Sequence, residues 1–340
     1  MKLRQALGLL LIVLALALSA CGASLPAGCP PDCVGKNLNN RNLAHANLSG
    51  AQLMDADLSQ VVMIGTRLDG ADLSGAQVVE SNLEGANLDD AVLVGTDFSS
   101  SNLGNASVNG ADMRGANLYQ AKLVGTDLTT AILSGINLEK AELIGSRMSG
   151  LELGGIRANK ANFSGSDLGG TNLNGARLSE TNLSGTNLHR ARLEGAWLNL
   201  TKLISSDLGE TDLSGTLFYG ADLTGVNLAE ANLSGSTLIG ANLSGADLRG
   251  ANLSGAILQV PSPPDAAEGF SYSSLSGIDL VNAISDAGLL SIYYDEALRS
   301  LSETRLKPLI QDTLLQGVLY NDETIWPLGF EVPSSAIYQQ

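Results

Sequence analysis

Histidine, cysteine and aromatic side chains are scarce in this chain. Only two His, three Cys and 4% aromatic residues occur among its 340 residues. The two histidines, His45 and His189, are far apart, and no Ser-His-Asp, metal-ligand or phosphate-loop spacing stands out. We therefore expect no catalytic site, no metal site and no cofactor. Both histidines are interpreted as solvated surface residues.

Basic residues are also few relative to acidic ones. The chain has 19 Lys and Arg against 35 Asp and Glu, which gives a net charge of −16. In an ordinary chain this charge, together with few aromatics and 39 Gly, would raise the question of disorder. The 44% of hydrophobic residues are arranged in a strict period, which argues against disorder. The charge is therefore interpreted as a property of a folded protein's surface.

A strict five-residue period occupies most of the chain. From Leu38 to Leu258 a large apolar residue stands at every fifth position, without any insertion or deletion. Leu occupies 36 of these 45 core positions, and the exceptions are Met, Val, Phe and a single Ala158. Ala, Ser or Thr stands two residues before the core position in 38 of the 45 repeats. A period of five fits neither a helix nor a strand, so it predicts a repeat solenoid.

The repeat motif is a small residue, Asn or Asp, Leu and two variable residues, as in Ala-Asp-Leu-Ser-Gly at residues 71–75. This motif is similar to that of the pentapeptide-repeat family. The resemblance implies an all-β fold, a right-handed, quadrilateral parallel β-helix in which each pentapeptide forms one side. In that fold the Leu points into the core, the small residue fits beside it, and the other three residues face outward.

A second period of 20 residues supports four sides per coil. In the series 55, 75, 95 through 255, the last residue of the repeat is Gly in ten of eleven cases. In the series 40, 60, 80 through 260 it is Gly in only two of twelve. Because Gly accepts positive φ in a type II turn, three corners are predicted to use turns that favour Gly, and the fourth a turn that does not need it. Residues 36–260 are predicted to form this β-helix.

The start of the chain has the features of an export signal. Two basic residues precede an apolar run from Leu7 to Leu18, which is too short to span a bilayer as a mature helix. Leu-Ser-Ala-Cys at residues 18–21 resembles a bacterial lipobox. The resemblance implies that residues 1–20 are a lipoprotein signal peptide and that Cys21 becomes the acylated first residue, carrying palmitate-type chains. An ordinary signal peptide with a chance Cys is the alternative.

The two remaining cysteines, Cys29 and Cys33, form an even pair just before the first repeats. In an oxidising compartment such a pair predicts a disulfide, and no His is close enough in the sequence to suggest zinc. Residues 21–35 are therefore interpreted as a tether that contains this disulfide. The expected location is outside the cytoplasm, with the lipid anchored in the outer face of the cytoplasmic membrane or in the outer membrane.

One predicted side of the β-helix carries apolar outward residues in its C-terminal half. An exposed apolar patch commonly marks a contact site. We interpret this one as a candidate docking strip, covered either by the chain's own C-terminal segment or by another molecule. The docking strip comprises Trp197, Leu200, Leu217, Tyr219, Ile239, Ile257 and Val260.

Residues 261–340 follow a proline-rich break in the period. They are predicted to contain a linker, final coils in a shifted register, a short helical insertion at residues 285–306 and a C-terminal cap. The ending from Leu319 to Phe330 looks like the tail that often closes pentapeptide-repeat proteins. A cap is expected because an open β-edge invites association.

Together these features predict an exported, membrane-tethered protein that is not an enzyme and acts as a structural or protein-binding scaffold at the cell surface. Its partners would be the membrane, through the lipid, and a protein whose identity the sequence does not give. The alternative comes from the resemblance, since some pentapeptide-repeat proteins are acidic mimics of duplex DNA that bind DNA gyrase. Export argues against that alternative, and no nucleic-acid partner is expected. The biological process, the receiving membrane and the oligomeric state stay open.

Overall fold

The computed structural model describes residues 25–258, 319–325, 332 and 334–339. The chain divides into two compact units, Met1–Asn137 and Leu138–Gln340, which we call unit 1 and unit 2. Among the described residues, no helix has the length and apolar character needed to cross a membrane.

Each unit is a four-sided parallel β-helix. In unit 1, parallel bridges join residues 20 positions apart, from Asp32 with Gln52 to Asn117 with Asn137. In unit 2 the same spacing runs from Glu142 with Asn162 to Thr237 with Ile257. A coil therefore contains four pentapeptides, which confirms the prediction from the 20-residue period. Each side contributes a single bridged residue, so the sides are short straight segments joined by tight turns.

The core consists of the apolar residues of the five-residue series. From Leu38 to Leu258 these side chains are almost completely buried, and each Leu contributes about 1.5–3 kcal/mol by leaving water. The small residue two positions earlier is also buried. Where it is Thr, its hydroxyl donates to a core carbonyl of the preceding coil, as Thr66 Oγ1 does to Leu43 O at 2.7 Å and Thr186 Oγ1 to Phe163 O at 3.0 Å. Polar residues are tolerated inside because this bond satisfies them.

The corners correct one prediction. The fourth corner, expected to need no Gly, has the same left-handed backbone as the other three, with φ of 58° at Gln120 and 57° at Leu200. Seventeen residues other than Gly adopt positive φ in the described chain. Four similar sides require a similar turn at each corner, and this backbone recurs at corners with and without Gly. Thr130 is a corner residue that lacks it, because a β-branched side chain disfavours positive φ. How often Gly occurs at a corner therefore does not reveal the backbone conformation there. A corner residue other than Gly that adopts the same positive φ does so with more strain.

The first coil begins earlier than the predicted boundary at residue 36. Asp32 pairs with Gln52, the Gln52 amide donates to Pro31 O at 2.7 Å, and the Cys33 amide donates to Gln52 O at 2.8 Å. Cys33 lies five residues before Leu38 and is fully buried, so it occupies a core position of the series. Part of the segment interpreted as a tether is therefore the first side of the β-helix. Its core residue is Cys and escapes a search for Leu.

Two short strands lie in the C-terminal part of unit 2. Strand β1 is Leu319–Tyr320 and strand β2 is Ile337–Tyr338, and they pair in parallel. Leu319 also bridges Asp247, and Ile325 bridges Asn252, so residues 319–325 stack on the coil that precedes them. Thr324 Oγ1 donates to Leu248 O at 2.8 Å and repeats the buried threonine contact of the earlier coils.

Several predicted features lie outside the described residues. They are the signal peptide at residues 1–20, the helical insertion at residues 285–306 and the aromatic-proline part of the ending at residues 326–330.

Candidate interaction surface

The Asn or Asp before each core residue has a structural task. Its Oδ1 accepts a hydrogen bond from the backbone amide two residues later, as Asn37 does from Asn39 at 3.1 Å and Asp72 from Ser74 at 2.9 Å. This Asx turn closes the corner of the coil. Neighbouring coils add side-chain contacts, such as Asn117 Nδ2 to Asp97 Oδ1 at 3.1 Å. The proximity of these carboxylates to one another follows from the repeat and is no sign of acid-base catalysis.

One outward column of unit 2 departs from this rule in six successive coils. Parallel bridges stack its members one above the other, each 20 residues from the next. None of them is Asn or Asp, although the other three columns of unit 2 keep these residues in most coils. We call this set the exchanged column. Its members are Arg157, Arg177, Trp197, Leu217, Thr237 and Ile257.

The basic end of the exchanged column is exposed. Arg157 and Arg177 both face solvent, and within the described part of the chain neither forms an ion pair. The Arg177 guanidinium lies 5.2 Å from the centroid of the Trp197 ring, a cation–π contact. The contact orients Arg177 and covers part of Trp197, which is half-buried.

A second outward column runs beside the exchanged column and is buried. Ser179, Asn199, Tyr219 and Ile239 follow core residues in successive coils, and each is at most 2% exposed. Two asparagines replace the missing Asx contacts there. Asn159 Oδ1 accepts from the Ser179 amide at 3.0 Å, and Asn199 Oδ1 accepts from the Tyr219 amide at 3.1 Å. The backbone thus recovers part of what the exchanged residues no longer supply.

The predicted docking strip is distributed over these two columns. Trp197, Leu217 and Ile257 lie in the exchanged column, where Trp197 and Leu217 are half-buried and Ile257 is 38% exposed. Tyr219 and Ile239 are 2% and 0% exposed, so the strip is not continuously open to water. The remaining members follow: Leu200 is a half-buried corner residue, and Val260 lies outside the described residues.

Sequence reasoning missed the two arginines of this surface. Sorting the outward residues by hydrophobicity selected Trp197 and Leu217 but passed over Arg157 and Arg177. A different signal was available in the same period. Six successive departures from Asn or Asp at one position of the 20-residue period mark the exchanged column without any structure.

A cluster of charged groups lies elsewhere on unit 2. Arg190 Nε donates to Glu210 Oε2 at 2.8 Å and Arg190 Nη2 to Oε1 at 3.1 Å. These hydrogen bonds hold the pKa of Glu210 below its ordinary value and raise that of Arg190. His189 Nε2 lies 3.6 Å from Glu210 Oε1, and the residue is half-buried, whereas the sequence predicted a solvated side chain. His45, in unit 1, is exposed as expected.

The cysteine predictions fall in different places. Cys29 and Cys33 are joined by a disulfide with their Cα atoms 4.9 Å apart. Cys21, the predicted lipidation site, lies outside the described residues. Within the described ranges, no three His, Cys, Asp or Glu side chains are grouped as metal ligands would be.

Comparison with known protein families identifies the repeat. The family described as pentapeptide repeats matches in eight copies, which together span more than half of the chain. The matched residues are 32–60, 66–105, 96–135, 121–157, 161–199, 198–235 and 227–259. No curated protein sequence matches the chain.

Solved structures of three repeat proteins are similar to it. HetL, involved in heterocyst differentiation regulation in the cyanobacterium Nostoc sp. strain PCC 7120, is 31% identical over 69% of this chain and 92% of its own, with a TM-score of 0.28. Rfr23 of the cyanobacterium Cyanothece 51142 is 30% identical over 32% and 87%, with a TM-score of 0.31. QnrB1, a plasmid-mediated fluoroquinolone resistance protein, is 21% identical over 54% and 88%, with a TM-score of 0.35. The TM-scores are low, so these superpositions carry no further argument.

Proposed function

The chain belongs to the pentapeptide-repeat family, and from that premise we propose that it is an exported, non-catalytic scaffold that binds a protein partner. A lipid on Cys21 would tether it to the membrane. The outer surface of unit 2, at the exchanged column, would receive the partner.

The observation that carries the binding role is the loss of the Asx turn in six successive coils. A hydrogen bond of this kind contributes about 0.5–1.5 kcal/mol, so its loss costs coil stability, and within the described residues Asn159 and Asn199 replace two of the six acceptors. Arg157, Arg177 and Ile257 are exposed and bring little packing in return. Contact with another molecule accounts for outward Arg, Trp and aliphatic side chains in one line, because Trp and Arg are enriched where proteins bind one another.

Two features support the tether. The Leu-Ser-Ala-Cys sequence ends the apolar run where a lipoprotein signal would end. The disulfide between Cys29 and Cys33 suits an oxidising compartment outside the cytoplasm. A single set of acyl chains at Cys21 would leave the β-helix on the aqueous side of the membrane.

An acidic mimic of duplex DNA is the second candidate, supported by the net charge of −16. Several carboxylates that such a mimic would display are already engaged by arginine, however. Asp112, Glu210 and Asp247 lie within 2.5–2.8 Å of the guanidinium groups of Arg114, Arg190 and Arg249. These ion pairs reduce the negative charge that a DNA mimic would present, so we favour the scaffold role over the DNA-mimic role.

Metabolic labelling with an alkyne analogue of palmitate tests the tether. We expect the wild-type protein to be labelled and membrane-bound, and Cys21→Ala to lose the label and leave the membrane fraction. The matched control is the double variant Cys29→Ala/Cys33→Ala, which keeps Cys21 and should keep the label. A Cys21→Ala protein that is still labelled or still membrane-bound would refute the tether.

Site-specific photo-crosslinking in cells tests the binding surface. A photoreactive amino acid at Leu217, in the exchanged column, should give a discrete adduct with a protein. The same group at Ile204, on another side of unit 2, is the control and should not give that adduct. No adduct at Leu217, or the same adducts at both positions, would contradict binding through this surface. An adduct with DNA gyrase would favour the DNA-mimic candidate instead.

A further inference from the structure

We propose that the exchanged column recognises an acidic segment of its protein partner, with carboxylate side chains bound by Arg157 and Arg177. This inference rests on the proposed function and adds the chemistry of the partner. It commits to a single extended peptide segment, acidic where it meets the arginines and apolar where it meets Leu217 and Ile257.

The charges of unit 2 single out these two arginines. Arg190, Arg192 and Arg249 each lie within 3.2 Å of a carboxylate of the chain itself. Arg157 and Arg177 have no such partner within the described residues, although acidic residues outnumber basic ones almost two to one. Among the described residues, no carboxylate of the chain pairs with these two guanidinium groups in adjacent coils, which favours their binding a carboxylate of a partner.

Their stacking favours an anion. Arg157 and Arg177 are bridged residues of neighbouring coils, and such residues are separated by about 4.8 Å. Two guanidinium groups that extend from neighbouring backbones can come close enough to repel each other, and a carboxylate between or beside them relieves the repulsion. Guanidinium and carboxylate groups also form charge-assisted, bidentate hydrogen bonds. The cation–π contact with Trp197 already orients Arg177, so less side-chain entropy is lost on binding.

The corner beside the column leaves room for a partner's backbone. Gly155, Gly175 and Gly195 form this corner in three successive coils, and a Cβ built on any of them would meet no atom within 4 Å. The partner can therefore approach the backbone of unit 2 without meeting a side chain.

The other end of the column decides between classes of partner. Beyond Trp197 the same line continues with the aliphatic side chains of Leu217 and Ile257. A protein segment can place apolar residues there, whereas a nucleic-acid backbone would continue with charge. The column is one residue wide and fits one extended chain better than the broad plane of a membrane.

Fluorescence anisotropy with a synthetic probe tests this inference. The probe is a fluorescein-labelled peptide in which alternating Glu and Thr residues are followed by alternating Val and Thr residues, added to the mature, full-length protein. We expect saturable binding that the double variant Arg157→Gln/Arg177→Gln weakens at least about tenfold, since two charge-assisted contacts are lost. A probe with Gln in place of Glu should bind the wild-type protein with a comparable loss.

The matched control removes the same charge elsewhere. Arg192→Gln/Arg249→Gln eliminates two arginines of unit 2 that already have carboxylate partners, and it should change binding less than about twofold. Thermal unfolding must show that both double variants remain folded, as expected for exposed side chains.

Four outcomes would overturn the inference. The first three are no saturable binding by the wild-type protein, equal binding of the Glu and Gln probes, and equal losses of binding in the two double variants. The fourth is that the peptide does not bind, whereas phosphatidylglycerol vesicles bind and need Arg157 and Arg177 to do so. The photo-crosslink at Leu217 distinguishes failure of the proposed scaffold function from failure of the acidic-partner proposal. If the adduct forms but the peptide does not bind, the scaffold function stands and the acidic partner is rejected.

Discussion

Asn199 accepts a hydrogen bond from a buried backbone amide. In most repeats the Asn or Asp before the core residue provides this acceptor. The Asn199 Oδ1 accepts from the Tyr219 amide of the next coil, where Leu217 cannot. Asn159 does the same for Ser179, where Arg177 cannot. At the scale of single residues, the exchanged column is therefore tolerated because a neighbouring column provides other acceptors. A backbone amide that loses its partner inside a protein costs more than the bond itself contributed.

Removing the acceptor at Asn199 should be costly. Asn199 is 0% exposed, so Asn199→Ala leaves the Tyr219 amide buried without its partner and should lower the free energy of unfolding by about 1–3 kcal/mol. Asn47→Ala is the control, since Asn47 is exposed and water can replace its bond to the Ser49 amide at 3.2 Å. Urea unfolding measures both. Equal losses would mean that burial does not determine the cost of this contact.

The left-handed corners predict a stabilising substitution. Gln120 has a φ of 58°, a backbone that costs a residue with Cβ about 1–2 kcal/mol. Gln120→Gly removes this strain but adds freedom to the unfolded chain, so the expected net gain is about 0.5–1 kcal/mol. Gly175→Ala, with a φ of 64° and open space around the new Cβ, should lose a similar amount. If urea unfolding shows Gln120→Gly to be destabilising, the corner is not strained.

At the scale of elements, the disulfide loop belongs to the first coil and should control its local stability. We expect reduction to accelerate hydrogen exchange of the Gln52 amide, which donates to Pro31 O, because the loop can then leave the coil. The Asp112 amide, bonded to Ala91 O within the same unit, is the internal control and should keep its protection. Unchanged protection at Gln52 after reduction would show that the loop stays paired without its disulfide.

The ion pair between Arg190 and Glu210 links two coils of unit 2 and should be visible in titration. The hydrogen bonds from Arg190 lower the pKa of Glu210, so the pair stabilises the folded state above the ordinary glutamate pKa of about 4.3. This contribution is lost as the pH falls through the lower, folded-state pKa. Because the pair is exposed to solvent, its effect on stability is small and the pKa is the better measurement. Carbon-13 NMR of the Glu210 carboxyl should give a value below the ordinary one, and Arg190→Gln should raise it. The same value in both proteins would contradict the assigned cause.

At the scale of the whole molecule, the sequence predicts what depends on period alone. The five-residue series identifies the core, because Leu must face inward on every side, and the 20-residue period identifies the pairing partners. The corner at Gln120 was not predicted, since its conformation comes from the closure of the coil and not from local preference. The return of Leu319 onto Asp247 is a contact between residues far apart in the chain, which no local period encodes. Cys33 was overlooked because it fills a core position with an unusual residue.

The candidate surface was predicted only in part, because the sequence period does not show how outward residues pack. Hydrophobicity revealed Trp197 and Leu217, but burial of Tyr219 and Ile239 depends on packing that the period does not contain. Arg157 and Arg177 become noticeable only when the Asx turn is known to be the ordinary use of their position.

In the four-sided coil, residues 20 positions apart stack because four pentapeptides close each turn of the β-helix. An insertion series after Gly75 tests this most directly, with one added residue, one added pentapeptide, or a duplicate of residues 56–75. The single residue moves every later core side chain of unit 1 out of register. The pentapeptide keeps the core but separates corner contacts such as Gln60 Nε2 to Glu80 Oε2 at 2.9 Å, and the duplicated coil preserves both. We predict that the thermal midpoint stays near that of the parent for 20 residues, falls moderately for five and falls most for one. Equal midpoints for the one-residue and 20-residue insertions would contradict the four-sided coil.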